Sequence, residues 1–235
     1  MKILVFSDLH GNAFVLKSLE SAISFFKPDK IFFLGDVFGY FYDYIICINF
    51  LKKHNVVCLM GNHDFWASQI INGNNDHVES LVVKYGSGYQ NLDILKDDYL
   101  SYLSPLNLIH KDNLETNLNY GFVHGTLNNP LFGRIYPNST LLHDNFENFN
   151  FLFCGHTHHR SIRFFENKVL INVGSLGQPR DGLAPTFVIY DSILNSLNFF
   201  DVQYPIEDLL KVCFANNDQN KVYVNSIVQK VKIVF

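Results

Sequence analysis

The chain has 235 residues, 48% hydrophobic and 17% charged, with a net charge of −4 at pH 7. This length fits one large domain with a substantial core, and the composition excludes intrinsic disorder. No Lys/Arg run stands out, which excludes extended nucleic-acid binding over a broad basic face but leaves room for a small phosphorylated ligand.

Residues 2–6 (KILVF) form a short apolar run bounded by Ser7-Asp8, the pattern of a buried strand. Asn12 is placed to cap a helix whose apolar positions Phe14, Val15, Leu19, Ala22 and Ile23 have helical spacing. Pro28-Asp29 ends it, and residues 31–34 begin a second strand that closes on Gly35-Asp36. A helical segment over 42–53 leads to a third strand, "VVCLM", which ends at Gly61-Asn62-His63-Asp64. This strand–helix–strand rhythm predicts a parallel α/β sheet.

Residues 65–105 read as mostly helical, with a break at "NGNND" (72–76). The second half is different. "YGFVH" (120–124), "NFLFC" (150–154), "SIRFF" (161–165), "KVLINV" (168–173), "TFVIY" (186–190) and "SLNFF" (196–200) predict a second, mixed or largely antiparallel sheet. A helix over 205–213 and a turn at 215–220 follow, and residues 221–235 fit neither periodicity. The expectation is a single domain of two facing sheets with outer helices, its core at about 1–204 and an extension, 205–235, without an assigned role.

Cys47, Cys58, Cys154 and Cys213 form no Cys-x-x-Cys pair and read as free thiols of a reducing compartment. The apolar start is too short for a signal peptide, and no apolar stretch reaches the ~18 residues of a membrane span. A cytoplasmic protein without membrane attachment is expected.

Five polar clusters each follow a predicted strand: Asp8-Leu9-His10, Gly35-Asp36, Gly61-Asn62-His63-Asp64, His124, and Gly155-His156-Thr157-His158. Taken singly each has an ordinary explanation, a turn, a helix cap or a structural histidine. Their joint occurrence in order, always at strand ends where α/β sheets bind ligands, points to a metal site. The i, i+2 pairs Asp8/His10 and His156/His158 would project together from an extended backbone. The Asp, His and Asn set suits Mn²⁺, Fe or Zn²⁺ rather than Ca²⁺.

These blocks resemble the calcineurin-like metallophosphoesterase superfamily, whose pattern runs D-x-H, G-D, G-N-H-(D/E), H and G-H-x-H. "NVGSLGQPRDG" (172–182) and "VHGTLNNPLF" (123–132) further resemble its small bacterial and archaeal phosphodiesterase branch. The likeness spans roughly residues 1–200, and Ser7 stands where the pattern usually has glycine. It implies an α/β (α+β) fold, a four-layer αββα sandwich with two facing mixed sheets flanked by helices. By the same likeness, Asp8, His10, Asp36 and His158 would hold one metal, and Asp36, Asn62, His124 and His156 a second, with Asp36 bridging.

Two divalent transition-metal ions are therefore the implied cofactors, Mn²⁺ first, with Fe, Zn²⁺, Ni²⁺ or Co²⁺ as alternatives. They would bring +4 against −2 from Asp8 and Asp36, leaving positive charge for a metal-bound hydroxide nucleophile and a phosphoryl oxygen. His63 resembles the family's leaving-group acid, and Asp64 would either orient its imidazole or cap a helix. Arg180 would grip phosphate or pair with Asp181. Arg134 and Tyr136 would line the entrance, as would Phe65 and Trp66 unless these pack a helix into the core. His159 would point away from the metal pair.

The resemblance implies a phosphodiesterase for a small phosphate ester, nucleotide-like among the options. Dinucleoside polyphosphate hydrolysis of the diadenosine tetraphosphate type is the alternative. Protein phosphatase activity is disfavoured, because "GDVFGYFYD" has no arginine and the third block is G-N-H-D. An inactive scaffold of the same fold would be expected to lack ligands or the acid, and none is missing. The abundant Phe and Tyr are compatible with an oligomer.

Overall fold

Period-2 alternation along the strands sorts their side chains between cores. The protein is described here by a computed structural model covering residues 1–90, 92–146, 148–219 and 221–232. In spatial order the first sheet takes β10 (Ser196–Asp201), β9 (Thr186–Asp191), β1 (Lys2–Phe6), β2 (Lys30–Phe33) and β3 (Val57–Cys58). The second takes β4 (Ile109–Asp112), β5 (Tyr120–Val123), β6 (Phe151–Cys154), β8 (Lys168–Asn172) and β7 (Ser161–Phe165). Both are mixed: β1–β2–β3 and β5–β6–β8 run parallel, while β9, β10, β4 and β7 pair antiparallel.

Ile3, Val5, Phe32 and Leu34 face Tyr120, Phe122, Phe153 and Ile171 in the core between the sheets. Phe32 stacks on Phe122 across that gap at 4.1 Å. Truncating either ring there costs about 3–5 kcal/mol, because the stacked partner closes the site against collapse. The alternate residues Leu4, Phe6, Ile31 and Phe33 face outward under the helices. These helices are α1 (Leu16–Phe26), α2 (Tyr44–Lys53), α3 (Asn62–Ile71), α4 (Val78–Tyr85), α5 (Lys96–Leu103), α6 (Ile206–Ala215) and α7 (Val222–Lys232). Each contributes buried side chains to that core.

The outer face of the second sheet is covered by the 125–149 segment, through Leu127, Ile135, Leu141, Phe146 and Phe149. Gly125, Pro130, Gly133 and Pro137 break that segment, and among its described residues the regular structure is one 3₁₀ turn at His143–Asn145.

Several sequence expectations are corrected. β9 and β10 join the first sheet rather than the second, because β9 pairs with the edge of β1 left open by the parallel run, Ile3 opposite Tyr190. The "VVCLM" strand is only two residues long, and the polar β4 is an additional strand. Asn12 makes no cap bond: its side-chain amide instead donates to the Gly177 carbonyl, 3.0 Å away. The unassigned tail holds α7. All four cysteines are free. Among the described residues no helix is long and apolar enough to cross a membrane.

Candidate functional site

The segments leaving β1, β2, β3, β5 and β6 converge, and they bring all seven sequence-predicted ligands together. None of Asp8, His10, Asp36, Asn62, His124, His156 and His158 is more than 6% exposed. Asp8, His10, Asp36, His156 and His158 all have left-handed backbones, φ between 52° and 68°. The i, i+2 pairs therefore converge through strained turns, not through the extended backbone expected from their spacing. Left-handed φ in non-glycine residues costs about 1 kcal/mol or more apiece, a cost typical of functional sites.

Three imidazoles are fixed the same way. Nδ1 of His10, His124 and His158 lies 2.7, 3.0 and 2.5 Å from the carbonyls of Phe38, Leu34 and Gln178. A carbonyl accepts only, so each Nδ1 carries a proton, and in the neutral ring Nε2 presents a lone pair. These Nε2 atoms converge: His10 and His158 approach within 3.1 Å, and His158 lies 3.1 Å from Asp8 Oδ1. His124 Nε2 sits 3.0 Å from Asn62 Oδ1, 3.1 Å from His156 Nδ1 and 3.3 Å from Asp36 Oδ2. Asp8 Oδ1, Asp36 Oδ2 and His156 Nε2 are buried without any hydrogen-bond partner.

Facing lone pairs and orphaned carboxylate oxygens repel each other in a buried site unless a cation lies among them. The donor set fits divalent transition metals. Asp8, His10 and His158 form one close group, and Asp36, His124 and His156 another. Asp36 Oδ2 also lies 3.9 Å from His10 Nε2, so its carboxylate stands between the two groups.

The protonation equilibria reflect this crowding. Burial alone would raise Asp8 and Asp36, yet His158 beside the first and His124 beside the second hold both well below the usual carboxylate range. Burial likewise opposes charging of His124, but Asp36 overrides it and lifts the group to about 9, so a cation binding at His124 Nε2 would displace a proton from it. Burial lowers His156 to about 3 and His158 to about 4, leaving both imidazoles neutral.

His63 lines the cavity over this cluster, and its Nδ1 lies 2.5 Å from the Tyr89 hydroxyl. It also stands within one close group with His10 and Asp36. Asp64 does not orient it. The Asp64 carboxylate accepts the backbone N–H groups of Asp36 and Val37, both at 2.8 Å, and of Gly61 at 3.0 Å. It thereby caps α3 and braces the loop that presents Asp36. Burial and the neighbouring Asp36 carboxylate push Asp64 up to about 6.

The cavity measures about 900 Å³, and Arg134, Tyr136 and Arg180 are among the residues that line it. Arg180 does not pair with Asp181; its guanidinium donates to the Tyr40 hydroxyl and to Gln178 Oε1, 3.1 Å away. Asp181 pairs with Arg160 instead. Trp66 stacks on Tyr85 and packs against the helical core, and Phe65 meets Phe132. His159 turns to the Thr157 carbonyl and the Tyr136 ring, outside the ligand cluster.

Two residues escaped the sequence reading. Tyr40, only 4% exposed and at φ 61°, packs 4.6 Å from the His10 ring and 5.3 Å from His63. Its place four positions after Asp36 was the available hint. Tyr89 had none, since a 3₁₀ turn distant in sequence delivers it.

The fold has counterparts among known proteins. An uncharacterized protein of Methanocaldococcus jannaschii is 28% identical over 226 residues, covering 87% of this chain and 88% of its own. A metallophosphoesterase from Sphaerobacter thermophilus superposes with a TM-score of 0.76 at 23% identity, covering 97% of this chain and 98% of its own. A hypothetical protein from Pyrococcus horikoshii gives 0.77 at 19%, covering 96% and 97%. The family model for the calcineurin-like phosphoesterase superfamily domain matches residues 1–193, so the chain belongs to that superfamily of hydrolases acting on phosphoric esters.

Proposed function

We propose that the protein hydrolyses phosphodiester bonds of small, nucleotide-like esters through a dinuclear metal centre. The observation that carries this reading is the pair of facing lone pairs, His10 Nε2 and His158 Nε2 at 3.1 Å, beside the orphaned oxygens of Asp8 and Asp36. Asp8, His10 and His158 would hold one ion, and Asn62, His124 and His156 the other, with Asp36 shared. When bound, such a pair supplies Lewis acidity to an attacking water and to the phosphoryl oxygens.

The remaining work falls to the chain's own groups. With the Tyr89 hydroxyl donating to Nδ1, His63 carries its proton on Nε2, toward the cavity, where it can meet the leaving oxygen. Burial keeps His63 well below its usual pKa, so its resting ring is neutral and offers its Nε2–H to the leaving oxygen as a hydrogen bond. Net proton transfer requires the imidazolium formed on uptake of a second proton. Asp64 keeps Asp36 in place by holding its backbone. Arg180 and Arg134 offer cationic walls to a phosphoryl group.

Dinucleoside polyphosphate hydrolysis is the second reading. It is favoured by the lining side chains, which include Lys84, Arg134, Arg180 and Lys221 against one carboxylate, Asp36.

The deciding experiment is hydrolysis of a nitrophenyl phosphodiester beside the matching monoester, without metal and with Mn²⁺. Diesterase activity is expected only with Mn²⁺, and Asn62→Ala or His156→Ala should lower it at least ~100-fold while weakening one metal equivalent. Silence on both esters with two metals bound would favour the polyphosphate reading. Silence with no metal bound would overturn the enzyme reading.

A further inference from the structure

The family match stops at residue 193, yet the cavity over the ligands is closed by residues well beyond it: Lys221, Val222, Tyr223 and Ser226, at the start of α7. Three contacts clasp this C-terminal arm to the catalytic body. Asp218, 3% exposed, accepts the Tyr42 hydroxyl at 2.7 Å and both Ser87 N at 3.0 Å and Ser87 Oγ at 2.9 Å. Lys221 Nζ donates to the carbonyls of Val82 (3.0 Å) and Val83 (2.9 Å) near the end of α4. Gly86, at φ +95°, makes room for the Tyr223 phenol: a Cβ there would lie 2.2 Å from its oxygen. The Tyr223 ring then meets Tyr40 edge-on at 5.1 Å, which joins the arm to the loop carrying Asp36.

A second cavity of about 310 Å³ opens beside the first, between the 179–185 loop and α7. The two share Gln178, Pro179, Gly182 and Ser226 as walls and so adjoin as compartments of one groove. Their chemistry differs. The first is lined by the four cations already named, whereas among the described residues no charged one lines the second. Its walls are Leu183, Pro185, Val202, Tyr204, Ile206 and Ile227, with the amides of Gln178 and Gln203 and the Ser226 hydroxyl among them. An alkyl chain would call for apolar walls throughout. A heterocyclic base has apolar faces and a hydrogen-bonding edge, which is what these walls complement.

We infer that this annex receives the nucleobase of a nucleoside phosphate ester whose phosphoryl group sits at the ligand cluster, so that α7 sets the substrate preference. The inference rests on the phosphodiesterase reading for its orientation, and binding tests it separately from turnover. Mn²⁺-loaded protein and metal-free protein are titrated calorimetrically with thymidine 5′-monophosphate and, separately, with inorganic phosphate. The wild type should bind the nucleotide at least ~10-fold more tightly than phosphate, the fold-change expected from burying a base face.

Ser226→Trp fills the shared wall and should bring the two affinities within about twofold. Should that bulky residue disturb α7, which circular dichroism would show, Leu183→Asp on the opposite, half-exposed wall is expected to collapse the ratio equally. Nucleotide binding no tighter than phosphate in the wild type, or a ratio that neither variant moves, overturns the inference. An intact, variant-sensitive ratio without ester hydrolysis sinks the catalytic reading and leaves the base compartment standing. Hydrolysis with equal affinities does the reverse.

Discussion

His63 is held from two sides. The Tyr89 hydroxyl engages Nδ1, and Gly39 at φ +89° leaves the ring its place, since a Cβ there would lie 2.3 Å from that same nitrogen. A ring so fixed presents its other nitrogen in one direction, which is what proton delivery to a leaving group requires. His63→Ala is expected to leave the metals bound. It should slow esters with poor alkoxide leaving groups by about 10²–10⁴-fold and nitrophenyl esters by far less. Equal losses on both, read as kcat against leaving-group pKa, would count against the proton role. Gly39 lies outside every motif, whereas His63 was legible in the sequence because a short motif contains it. Tyr89 was not, because its contact is made in space. Asp64 stands beside His63 in the sequence, yet its carboxylate turns to four backbone N–H groups, those of Asp36, Val37, Phe38 and Gly61, a direction that adjacency does not specify.

At the scale of elements, alternation identified most strands and the two faces of each, but not their partners. "TFVIY" satisfies either sheet by pattern, and only the vacant edge of β1 decides for the first. The 125–149 cover was invisible for a related reason: its Gly and Pro residues exclude a helix without saying what the segment packs on. The sheets themselves are tied at one margin by Lys30 of β2, whose Nζ donates to Asp112 Oδ2 of β4 at 2.6 Å. Burial would raise the Asp112 carboxyl, but Lys30 and the N–H groups of Leu114 and Asn113 lower it below 3.8. A depressed folded-state pKa means that the stabilisation is present above about pH 4 and lost as pH falls through the folded value. Because Lys30 is 39% exposed, screening limits it to about 1 kcal/mol. Urea unfolding of Asp112→Asn should therefore fall short of wild type by up to ~1 kcal/mol at neutral pH, with the gap closing by about pH 2.5. A gap unchanged by acid would assign the effect to packing.

Across the whole molecule, the ligand set joins the two sheets. Asp8, His10, Asp36 and Asn62 follow strands of the first, and His124, His156 and His158 follow strands of the second. The crossing contacts are His158–Asp8 at 3.1 Å and His124–Asp36 at 3.3 Å. Ions held as proposed would span the sheets in the folded state only, and so would stabilise the fold by mass action. At a free metal concentration about 100 times the dissociation constant, one site contributes ~2.7 kcal/mol. For a chain of this size each kcal/mol moves the melting temperature by about 2–4 °C. Mn²⁺ should thus raise the midpoint by roughly 5–10 °C for one site, and a chelator should reverse the shift. The increment exceeds what the Lys30–Asp112 pair can supply, so the two contributions separate by size as well as by pH. Removing a ligand from each sheet tests the cross-link directly: Asn62→Ala and His156→Ala should each reduce the Mn²⁺-induced shift. A midpoint indifferent to Mn²⁺ and to chelator would mean that the converging lone pairs hold no ion, and the proposed chemistry would go with it.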